Sequence, residues 1–103
     1  MDVVEFVHGV ELTGDKLREL ITVCLEWGRT SMAYHGGDDR MAERNISGGQ
    51  ILAALARGAL RTDQCVAGNW RYLASREGVE VCFMFDLDAD GNMLIVITVM
   101  RKD

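Results

Sequence analysis

Residues 34 to 47 read YHGGDDRMAERNIS and gather the side chains best suited to chemistry. His35 precedes two glycines, and histidine titrates near neutrality, which suits proton transfer. Arg40 and Arg44 are four apart, so on a helix they share a face. Glu43, three after Arg40, can pair with it there. An imidazole beside two guanidinium forks is a sensible set for cleaving RNA. The histidine would move a proton and the arginines would stabilise charge building on the phosphorane. The plainer reading makes His35 a cap or surface residue and the arginines the solvated side of a short helix.

Those residues need elements to hold them. Asp38 or Asp39 can cap a short helix running to about Arg44, and Asn45 can take a left-handed terminal conformation. Ser47 to Gln50 fits the S-x-x-Q capping box, which predicts a helix over 48–57. That helix would turn Ile51, Leu52, Leu55 and Ala56 to a core and stop at Gly58. Upstream, DVVEFV (2–7) is short and β-prone. Over 14–29, Leu17, Leu20, Ile21, Cys24 and Leu25 recur at helical spacing, with Thr13 or Asp15 as cap and Gly28 near the end.

From about residue 64 the hydrophobic period changes to two. NWRYLAS is a candidate strand, and VEVCFMFDL sets Val79, Val81, Phe83, Phe85 and Leu87 on one face. MLIVITVM is apolar on both faces, as expected of a strand covered on both sides. DADGN between the last two favours a hairpin. Helices first and an antiparallel meander afterwards make an α+β domain, one unit over 1–103.

The totals agree with a single domain: 103 residues, 49% hydrophobic and no proline to make a rigid linker. No apolar run reaches about 18 residues, so no membrane span is expected. The first ten residues lack the pattern of a secretory signal. Three cysteines (Cys24, Cys65, Cys82) with no CxxC pair argue against a disulfide framework and for a reducing, cytoplasmic setting, each being read as a small buried hydrophobe. The net charge of −5 disfavours phosphate-rich partners, yet residues 40 to 76 hold six arginines against Glu43 and Asp63. Arginine forks grip phosphate oxygens well. Asp86, Asp88 and Asp90 before Gly91 match the first half of a calcium loop. Its closing ligand position is Ile97 in an apolar strand, so a hairpin turn is the better reading and no metal is expected.

HGGDDRMAERNIS, a helix ending in Gly58 and the later IVITVM together resemble the family known as domain of unknown function 4258. Members carry a pattern close to H-x-x-x-R-M-x-E-R-x-I-S, then a helix, then strands ending in a V-x-T-V-like strand. The likeness spans roughly residues 34 to 101 and is firmest at Arg40-Met41, Glu43-Arg44 and Ile46-Ser47. His35 stands five residues before Arg40, where members usually have four. The resemblance implies a RelE-like toxin fold, with helices packed on a small antiparallel sheet. It implies catalytic roles for His35, Arg40, Arg44, Arg71 and Thr98 in a metal-independent endoribonuclease without cofactor. Tyr72 falls beside Arg71 in a basic and aromatic strand pair; Tyr72 and Trp70 read more simply as packing aromatics than as platforms for bases.

Two functions are compatible with these residues. One is a small toxin-like domain acting on RNA. The other is a non-catalytic protein-binding module or inhibitor on the same fold, phage- or plasmid-borne, whose acidic surface engages a basic partner. An antitoxin-like or host protein would be that partner, and either reading allows a homodimer through a sheet edge. Arginines gathered in one patch with His35 would favour the first, scattered arginines the second.

Overall fold

The computed structural model describes residues 9–31, 46–88 and 91–101. Helix α1 (Gly14–Glu26) buries Leu17, Leu20, Ile21 and Cys24, the stripe its spacing predicts. Thr13 holds the extended N-cap conformation, but its side chain makes no capping bond. The helix closes in a Schellman motif. Gly28 takes φ +67°, Arg29 N–H reaches back to Cys24 O at 2.7 Å, and Gly28 N–H points to Leu25 O at 3.4 Å. Gly28 thus helps end the helix, as its place after the apolar stripe predicts. The chain then enters a two-residue strand, β1 (Thr30–Ser31).

Helix α2 (Gly48–Arg57) starts on the predicted capping box. Ser47 Oγ accepts from Gln50 N at 3.1 Å and Gln50 Oε1 accepts from Ser47 N at 2.7 Å. Its buried side is Ile51, Ala54 and Leu55, whereas Leu52 is exposed and Ala56 faces solvent. The expected core face is thus rotated. The sheet meets the helix from the side of Ala54, and Leu52, one position from Ile51, is carried away from it. Gly58 ends the helix for a reason other than a left-handed turn, since its φ is −72°. A Cβ there would clash with Ala54 O and stand 2.7 Å from Ser75 O, so the bare backbone lets the chain pass from helix into strand.

The sheet comprises β2 (Ala59–Val66), β3 (Asn69–Arg76), β4 (Val79–Asp88), β5 (Gly91–Arg101) and β1, in the order β1-β5-β4-β3-β2. The meander β2–β5 is antiparallel, and β1 joins β5 in parallel through Thr30↔Leu94 and Ser31↔Ile95. The fold is α+β with a mixed rather than purely antiparallel sheet. β2 also begins at residue 59, earlier than the change of period suggests, because its pattern is mostly exposed. Two tight turns join its neighbours. Ala67–Gly68 and Glu77–Gly78 all have positive φ, the geometry of two-residue hairpins.

One face of the sheet carries the core. Tyr72, Ala74, Val81, Phe83, Phe85, Leu94, Val96 and Val99 lie in it with the buried faces of both helices and Ile46. Tyr72, Phe83 and Phe85 form a ring cluster with centroids 5.7–6.0 Å apart. A bulge in β5 follows the Cys82↔Thr98 pair, since Phe83 pairs with Val96 and leaves Ile97 as the extra residue. It lets Val96 and Val99, three apart, both point into the core. The strand that reads as apolar on both sides has, among the described residues, helices on one side only. The predicted strand at 2–7 and the short helix around 38–44 lie outside the described residues.

Candidate functional site

Strand alternation sets the other face of the sheet. Arg71, Leu73 and Ser75 on β3 stand opposite Met84, Cys82 and Glu80 on β4. These in turn stand opposite Ile95, Thr98 and Met100 on β5, with Asp86 opposite Met93. Arg61 on β2 pairs with Leu73. Among the described residues no helix lies on this side.

Two of the predicted site residues lie on this face. Arg71 and Thr98 share the face, on neighbouring rows and two strands apart. Both are half-buried. The other three, His35, Arg40 and Arg44, lie outside the described residues. Their segment leaves from Ser31, beside Ile95 at the sheet edge, and returns at Ile46, which is buried in the core. Of the remaining arginines, Arg57 is exposed at the end of α2, on the helix side of the sheet. Arg76 follows the core-facing alternation of Tyr72 and Ala74 and lies 3.8 Å from Glu77 in a loose ion pair. The described arginines are therefore divided between the two sides, and Arg61 and Arg71 are the pair on the face opposite the described helices.

That face has its own polar order. Glu80 is a buried carboxylate, 5% exposed. Its Oε2 accepts from Arg61 Nη2 at 3.0 Å and from Ser75 Oγ at 3.1 Å. Arg61 keeps 61% of its side chain exposed, so the pair is rooted at the sheet and open at the surface. Arg71 differs: its Nε is buried and finds no hydrogen-bond partner. An unsatisfied buried donor costs about 1–3 kcal/mol. Burial pushes the Cys82 thiol above its ordinary value; the nearby Asp63 and Glu80 charges add to this and Arg71 opposes it. The charges of Asp63, Arg71 and Glu80 are thus all felt at Cys82. Leu73 and Cys82 are buried there as well, 7% and 6% exposed.

The aromatic readings resolve toward packing. Tyr72 is buried and its hydroxyl accepts from Leu12 N at 2.9 Å. Trp70 packs against the core, and its Nε1 donates to Gly9 O at 3.2 Å. Neither reaches the face opposite the described helices. Among the cysteines, Cys24 and Cys82 are buried as expected, while Cys65 is exposed beside the β2 bulge. Asp86 lies within β4 and Ile97 within β5, and Asp88 pairs with Gly91, so the acidic run flanks a hairpin. Among the described residues no group of three or more His, Cys, Asp or Glu side chains is placed to hold a metal.

Sequence reasoning passed over Arg61 and Glu80. The one signal for them is Glu80 itself, a carboxylate between Val79 and Val81 in an otherwise apolar strand. A charge so placed needs a partner, and β2 supplies it two strands away. Comparison of the chain with protein-family models, with curated proteins and with solved structures finds no match, so fold and site stand on their own geometry.

Proposed function

We propose that this chain is a small RNA-directed domain of the toxin type, a metal-independent endoribonuclease that works across the sheet face opposite its described helices. The reading is supported by one observation above the rest. Arg71 and Thr98, the two strand residues implied by the family resemblance, share that face although 27 positions separate them in the chain. In this reading His35 serves as acid or base, and Arg40, Arg44 and Arg71 hold phosphate and stabilise the developing charge. The test is RNA cleavage in chelator by the wild type, His35→Ala and Arg71→Ala. Cleavage by the wild type is expected, with a loss of about 10²–10⁴ in rate for His35→Ala. A folded wild type that neither binds nor cuts RNA at low salt would end this reading.

A second reading draws on the other half of the same face. Met84, Met93, Ile95 and Met100 form an apolar strip over β4 and β5, half-exposed and bordered by Asp86. Methionine-rich apolar surface with a charged border suits a protein partner. A non-catalytic binding module would use that strip to hold an antitoxin-like or host protein.

A further inference from the structure

We draw no further inference here: the strongest candidate, the outer edge of strand β2 as a pairing surface for a second copy of the chain, is broken by a bulge between Thr62 and Cys65 and has its Arg61 turned inward onto Glu80, so nothing in the structure shows what would pair with it.

Discussion

The hydroxyl of Tyr72 accepts the amide proton of Leu12 at the edge of a three-ring cluster. Tyr72→Phe would leave that amide without its acceptor in a buried setting. The expected cost is about 1–2 kcal/mol, read as a lower urea midpoint with unchanged far-ultraviolet circular dichroism. The same burial sets a pH dependence. Desolvation holds the Tyr72 hydroxyl above its ordinary value, as it does the thiols of Cys24 and Cys82. Raised values mean that the unfolded chain loses these protons first as pH climbs. Their contribution is complete below the unfolded values, about 8.5 for cysteine and 10 for tyrosine, and is lost as pH rises through the higher folded values. Stability should therefore decline from about pH 8.5 upward. In Tyr72→Phe the decline above about pH 10 should be shallower. Equal slopes for the two proteins above that pH would count against a shifted Tyr72.

At the scale of elements, Arg18 joins the helices. Its Nη1 donates to Leu55 O at 2.8 Å and to Ala56 O at 2.7 Å, and its Nη2 donates to Gly58 O at 2.6 Å. These carbonyls belong to the end of α2, where acceptors lack helical partners and the dipole favours a cation. Arg18→Ala should cost about 2–3 kcal/mol in urea unfolding, and Arg18→Lys should recover part of it. A neutral Arg18→Ala would mean that the clamp is dispensable. Gly58 marks the other demand on this corner. Its backbone passes so close to Ala54 O and Ser75 O that Gly58→Ala must push α2 from β3. A loss of roughly 2 kcal/mol or more is expected, although alanine normally favours helices. Gly28→Ala at the Schellman turn should cost about 1 kcal/mol for its positive φ alone.

At the scale of the molecule, the sheet divides a side packed on the described helices from a second side, and adjacent residues of β5 test the division. Val96 is fully buried against the helices, whereas Ile95 is half-exposed on the other face. Val96→Lys should unfold the protein by placing an unpaired charge in the core. Ile95→Lys should shift the melting temperature by a few degrees at most and leave the spectrum intact. Equal damage from both would show that the second face is also packed. If the second reading of function holds, Ile95→Lys should abolish partner binding while the fold survives.

Much of this arrangement comes from local chemistry. The Ser47 capping box, the Leu17–Cys24 stripe and the alternation of Val79, Val81, Phe83 and Phe85 each depend on neighbours within a few residues, so they were legible in the chain itself. The resemblance further singled out Arg71 and Thr98, and pointed to His35, Arg40 and Arg44 beyond the described residues. Tertiary structure decided the rest, because the deciding contacts are distant in sequence. The parallel pairing of β1 with β5 spans more than sixty positions. The β5 bulge that sends Thr98 away from the core exists in pairing with β4. Gly58 needs its missing side chain because of Ser75, and Arg61 is oriented because Glu80 arrives beside it from two strands away. Periodicity tells which residues share a face of one strand; which strands lie side by side, and which face takes the core, is settled when the helices choose the side on which to bury their apolar stripes.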